Sequence, residues 1–200
     1  MQRPNIDRTL AGQLAQADAV GKVDALFDFF QRHGDVHYEE RVTQMEHGLQ
    51  TAALARTSGG NACQVASALL HDLGHLLVIE PEAGRFAQDL NHEEVGAKYL
   101  EPFFPDEVTV PIALHVPAKR YLCTIETSYY HGLSPASQHS FQLQGGRMSP
   151  QEREQFEATP HLDFACQLRR GMTGGNNLAW RYLNWNRIAP ISFKRSALRD

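Results

Sequence analysis

The sequence predicts an all-α protein folded as a compact helical bundle. Apolar residues recur at helical spacing along most of the chain, and Ser-Pro, Thr-Pro, Asn and Gly-Gly stand where helices should start or stop. No stretch alternates long enough to read as a strand, and no repeat or low-complexity tract interrupts the pattern.

Residues 8–32 carry Leu10, Leu14, Ala17, Val20, Val23, Leu26, Phe27 and Phe30, enough for one helix or two short ones, with Gly21 as the weak point and Gly34 as the stop. A second helix is predicted from about Thr43 to Thr57, ending at Gly59-Gly60. A third, from Asn61 to Asp72, is apolar nearly all round and should be central. Residues 78–90, with Pro81 and Gly84, read as a loop. Asn91 should begin a short helix, and Pro105-Asp106 another that Pro111 and Pro117 interrupt. Ser134-Pro135, Ser149-Pro150 and Thr159-Pro160 open the remaining helical stretches.

A chain of 200 residues suits one domain. The formal charge of -4 gives no field for nucleic acid or anionic lipid. The three cysteines are widely spaced and fit neither a disulfide framework nor a thiolate metal site. With no secretory h-region and no long apolar run, membrane insertion is not expected and the cytoplasm is the expected location.

The chemistry concentrates in "SALLHDLGHLL", where an apolar helix ends in the adjacent pair His71-Asp72. A buried carboxylate needs a partner, and imidazoles with a carboxylate from separate helices can hold iron, manganese or zinc. His47, His92 and His115, each on its own predicted helix, are the natural further ligands.

The spacing H-x(23)-HD from His47 to His71-Asp72 resembles the HD-domain superfamily. The ordered stretches "EERVTQMEHGLQTAALA", "HDLGHLL", "NHEEVGAKYL", "LHVPAKRYL", "LSPASQHSFQLQGG" and "PHLDFACQLRR", over residues 37–170, are similar to its branch of mixed-valent di-iron oxygenases. Those enzymes cleave 2-amino-1-hydroxyethylphosphonate. The resemblance implies an HD-type bundle and a non-heme dioxygenase of phosphonate catabolism. It would use two iron ions, Fe2+/Fe3+, or alternatively Mn2+ or another divalent metal, to split a C–P bond with O2 and release phosphate and an amino acid.

Carried over by position, the resemblance implies one iron on His47, His71 and Asp72, and a second on Asp72, His92 and His115. Asp72, His75 and Lys119 would form the catalytic set. His75, Lys119, Arg169 and Ser137 would surround the phosphonate, where Lys and Arg suit its charge. Glu40 would meet the substrate amine. His37 replaces the family's tyrosine, and Tyr38 beside it would supply the aromatic lid after a one-residue slip, which leaves room for a trimethylammonium substituent. The same residues fit an HD phosphohydrolase using metal-bound hydroxide.

The pattern breaks after Arg170. The relatives read Leu-Arg-Arg-Trp-Asp-Asp, whereas this chain has Gly171-Met172-Thr173, so Met172 stands where a carboxylate ligand is expected. A thioether is a poor ligand for a hard ferric ion. Gly-Met-Thr encoded GGG-ATG-ACN becomes Trp-Asp-Asp when a T precedes it, so residues 171–200 read as an atypical, out-of-frame tail to an HD domain of residues 1–170. A catalytically impaired domain lacking the last ligand is the third expectation.

Overall fold

The protein is described from a computed structural model, covering residues 8–35, 37–39, 42–77 and 91–174. Its architecture is the all-α bundle the sequence predicts. Helix α1 (Thr9–Gln16) and α2 (Ala19–His33) divide at Asp18, whose carboxylate accepts from the Gly21 amide and caps α2. The break therefore falls before Gly21, because a side-chain cap defines a helix start more sharply than one glycine weakens a helix.

A two-stranded hairpin, β1 (His37–Glu39) with β2 (Val42–Thr43), precedes the site. Strands of three and two residues show no readable alternation, so no strand is predicted there.

Two helices then start on reciprocal caps. In α3 (Gln44–Thr57) the Thr43 hydroxyl accepts from the Glu46 amide and Glu46 accepts from the Thr43 amide. In α4 (Ala62–Leu70) Asn61 and Gln64 exchange the same bonds. Such caps stabilise a helix start by about 1 kcal/mol each. The α4 stripe of Val65, Ala66, Leu69 and Leu70 is buried, and α5 (Leu73–Leu77) continues it with Leu73 and Leu77.

The expected loop at 78–90 lies outside the described residues. Asn91, in the left-handed region at φ 54°, turns the chain into α6 (His92–Leu100). Asn tolerates that conformation better than other residues with a Cβ.

Helix α7 (Asp106–Ile125) is the axis of the bundle, packing on α4, α6 and α11. It runs unbroken through Pro111 and Pro117, contrary to the expected interruption. Pro111 supplies no N–H for the Glu107 carbonyl. The Ser67 hydroxyl from α4, 2.9 Å from the Cys63 carbonyl of its own helix, also lies 3.0 Å from the Val108 carbonyl and 3.5 Å from that of Glu107, so the neighbouring helix sets a shared donor against the gap. Packing of a core helix thus overrides proline's local preference.

The remaining helices are α8 (Thr127–His131), α9 (Pro135–Leu143), α10 (Pro150–Glu157) and α11 (Leu162–Gly174). Ser134 and Ser149 cap α9 and α10 as their Ser-Pro signals predict. The N-terminal half of α7 places Val108 and Ile112 in the main core, and its C-terminal half places Ala118, Leu122 and Cys123 in two smaller clusters. His115 and Lys119 fall at the seam between them, both buried. Among the described residues no helix is long and apolar enough to cross a membrane.

Candidate metal centre

Two close helix approaches build the site. A Cβ on Gly48 would lie 2.8 Å from the Leu69 carbonyl oxygen, so only glycine lets α3 press this tightly on α4. That contact sets His47 against His71, ring centroids 5.1 Å apart at 72°. A Cβ on Gly74 would overlap the His92 carbonyl, 2.8 Å from its carbon and 3.0 Å from the Gly96 nitrogen. That contact stacks His75 on His92 with centroids 3.8 Å apart.

Asp72, in the turn between α4 and α5, receives the imidazoles from two sides. Its Oδ2 faces His71 Nε2 at 3.1 Å and His47 Nε2 at 3.9 Å. Its Oδ1 faces His92 Nε2 at 3.4 Å and His115 Nε2 at 3.7 Å. Each carboxylate oxygen therefore addresses its own pair of imidazoles.

The tautomers follow from the other ring nitrogens. Nδ1–H of His71 donates to the Ala68 carbonyl at 2.9 Å, and Nδ1–H of His115 donates to the Ile112 carbonyl at 2.8 Å. Only a protonated nitrogen can meet a carbonyl at that distance, so each ring in its neutral form presents the Nε2 lone pair inward. Glu93 Oε2 lies 3.5 Å from His92 Nδ1 and favours the same tautomer there.

Nε2 of His92 and of His115 stand 3.0 Å apart, and His71 Nε2 and Asp72 Oδ2 are buried without hydrogen-bond partners among the described residues. A cluster that turns bases and a carboxylate toward one another in a dry interior is complementary to positive charge at its centre. The groups fit a metal, and among the described residues two triads qualify: His47, His71 and Asp72, and Asp72, His75 and His92, their ligand atoms within 4.8 Å of one another in each. Asp72 belongs to both. His75, expected in the catalytic set and beside the substrate, comes within ligand range as well.

Electrostatics keep these groups in their ligating forms. Burial, with His92 and His71 alongside, holds His115 well below the usual imidazole range, so it is neutral at pH 7. Burial alone would raise the Asp72 pKa, but the surrounding imidazoles, His71 first, outweigh it and hold the carboxylate well below its ordinary value.

The expected anion-binding residues lie along the same seam. Lys119 stands one turn beyond His115, is 4% exposed, and its Nζ donates to Ser140 Oγ at 2.8 Å. Ser140 in turn donates to the Ser137 carbonyl at 3.2 Å, while Ser137, also buried, gives its amide to the Ser134 cap. Arg169 on α11 is buried, and its Nη1 lies 3.8 Å from Met172 Sδ. Burial raises the Cys123 thiol pKa while Arg169 and Lys119 pull it down, which puts both cations within the field of one buried atom. Met172 is 2% exposed, so the position expected to carry a carboxylate faces the interior. Helix α11 runs past Arg170 to Gly174, and residues 175–200 lie outside the described residues.

Tyr38 sits mid-strand in β1, and its side chain lies outside the described set, as does all of Glu40. Sequence reasoning missed Glu93 and Ser140. Glu93 adjoins a histidine and Ser140 falls one turn after Ser137, so spacing could have suggested those two.

No family model matches the chain. It is 49% identical over 168 residues to the hydroxymethylphosphonate dioxygenase of Gimesia maris, a match covering 82% of this chain and 84% of that protein. It is 40% identical over 174 residues to the glycine-betaine-forming [1-hydroxy-2-(trimethylamino)ethyl]phosphonate dioxygenase of Leisingera caerulea, covering 84% and 83%. With identity at that level across most of both relatives, and a carboxylate set between two imidazole pairs, the chain belongs to the phosphonate dioxygenase family.

Proposed function

We propose that the protein is a di-iron oxygenase that cleaves the C–P bond of a 1-hydroxyalkylphosphonate, consuming O2 and releasing phosphate and a carboxylate. The observation that carries this reading is Asp72, whose two oxygens face separate imidazole pairs 3.1–3.9 Å away. One carboxylate shared in this way suits two adjacent ions, His47 and His71 serving one and His92 and His115 the other. Bound iron would supply the dioxygen chemistry that no side chain here provides.

The chain's own residues bind, orient and exclude water. Lys119 and Arg169 neutralise a phosphonate carrying nearly two negative charges, Lys119 being aimed by a neutral serine that leaves its charge intact. Ser137 adds an uncharged group beside them. His75, stacked on His92, would stand beside the phosphonate, where it can donate a proton to departing phosphate. The apolar clusters on both sides of the seam keep bulk water away.

The overall change balances for hydroxymethylphosphonate: its dianion and O2 give formate, hydrogen phosphate and one proton. The carbon is oxidised, O2 is reduced, and both oxygen atoms end in the products. A 2-ammonium substrate, which Glu40 would favour, gives an amino acid by the same stoichiometry.

The test is iron-loaded protein supplied with hydroxymethylphosphonate, its 2-amino-1-hydroxyethyl homologue and the trimethylammonium form, following oxygen uptake and phosphate together. Equal uptake and release is expected. Phosphate release that persists without oxygen would convert the assignment to hydrolysis, and iron-loaded protein that turns over none of the three would leave a silent metal-binding domain.

A further inference from the structure

Glu93 is buried at 8% exposure, and its Oε2 stands 3.5 Å from Nδ1 of His92. The other nitrogen of that ring, Nε2, faces Asp72 Oδ1 at 3.4 Å. One imidazole therefore joins Glu93 to the shared carboxylate of the metal centre.

Two comparisons separate this arrangement from what a helix end alone requires. Glu94, next in sequence, also belongs to the first turn of α6 and lies exposed, where a carboxylate complements the helix dipole and keeps its water. Burying Glu93 as well sacrifices solvation that the helix start does not need. The second comparison is among the imidazoles. His71 and His115 turn Nδ1 to the neutral carbonyls of Ala68 and Ile112, whereas His92 turns it to a carboxylate.

That difference changes the ring as a ligand. A carboxylate at Nδ1 fixes the orientation of the imidazole and makes Nε2 a stronger base. A cation on Nε2 polarises the Nδ1–H bond in turn, and so tightens a contact that stands at the outer limit of hydrogen bonding without it. A backbone carbonyl also orients the ring but brings no net charge.

We propose that Glu93 is a positioning residue for the ion seated by His92 and His115, orienting His92 from behind and placing a negative charge one imidazole ring away from the metal. That half of the centre then holds its ion more tightly and favours the higher charge state. The inference rests on the di-iron reading above and adds a residue that touches neither substrate nor metal.

The experiment uses the full chain with Glu93→Gln and Glu93→Asp, and with Glu94→Gln as the control that removes the same charge from an exposed position. Metal-free protein is titrated with Mn2+ to find the midpoint of uptake, and iron-loaded, oxygen-free protein is titrated for the reduction potential of the iron pair. Glu93→Gln keeps length and an acceptor but loses the charge; uptake should weaken about 10-fold or more and the potential should rise. Glu93→Asp keeps the charge but withdraws it by one methylene, so uptake should weaken while the potential stays nearer wild type. Glu94→Gln should match wild type in both. A Glu93→Gln protein with wild-type uptake, or with a potential that moves no further than that of Glu94→Gln, would overturn the proposal. Should that variant fail to fold, wild-type uptake by Glu93→Asp would overturn it instead. Wild-type protein that takes up neither Mn2+ nor iron would overturn the di-iron reading and this inference with it, whereas a wild type that loads two ions and is matched by its Glu93 variants would overturn this inference alone.

Discussion

Gly74→Ala puts the geometry of the metal centre under direct strain. The added methyl carbon would lie 2.8 Å from the His92 carbonyl carbon, against a comfortable carbon–carbon contact of about 3.5 Å, so α5 and α6 must separate by at least about 0.7 Å. The obstacle is backbone on both sides, so no rotamer change relieves it. His92 moves with α6 while Asp72 and His75 stay with α4 and α5. Overpacking of this kind costs about 1–3 kcal/mol, partly offset by alanine's better helix propensity, for a melting temperature lower by several degrees. A misplacement approaching 1 Å should lower turnover by about 10- to 100-fold and bring iron stoichiometry below that of wild type. Melting curves, metal analysis and phosphate release provide the measurements. The control is Gly12→Ala, where the new methyl meets nothing within 4 Å and stability should be equal or higher. If Gly74→Ala matches Gly12→Ala in melting and iron content, the close approach does not hold the imidazoles in place.

Other changes test other parts of the seam. Lys119→Met removes a cation that the structure holds 2.8 Å from Ser140 and should raise KM for the phosphonate by about 30-fold or more, so steady-state kinetics with an unchanged KM would remove Lys119 from the anion site. Met172→Asp places a carboxylate in the buried last turn of α11; metal-free protein should melt lower while iron affinity rises about 10-fold or more, and a titration showing no tighter binding would mean that position 172 does not reach the metals. Glu152 is held down to about 2 by the Ser149 amide and by Arg120, so its contribution to stability is complete above about pH 4.5 and fades as the pH falls toward 2. Melting curves of wild type and Glu152→Gln should accordingly differ at pH 7 and converge near pH 2, and curves equally separated at both would refute that linkage.

The helices were legible where local chemistry alone determines them. Thr43, Asn61, Ser134 and Ser149 each cap a helix start because their side chains complete the first turn whatever lies around them. Continuity of α7 through two prolines was not, since at Pro111 the donor near the orphaned carbonyl is Ser67, on another helix forty positions away in sequence. The histidines could be singled out because an apolar helix ending in His-Asp leaves a charge that burial must answer. Which imidazoles share a carboxylate oxygen depends on two glycine contacts that no spacing rule anticipates. Glu93 stayed hidden for the converse reason: a glutamate in the first turn of a helix is ordinary until its burial against His92 is known.

Because each oxygen of Asp72 faces a different imidazole pair, the di-iron reading proposed above ties the two halves of the centre together. The first ion to arrive would fix the rotation of the carboxylate and so prepare the seat of the second. Uptake should therefore be sigmoid, and half-loaded protein should be scarce at every ion concentration. Mutational drift on either side is felt by the other, which leaves the pair to change together or not at all.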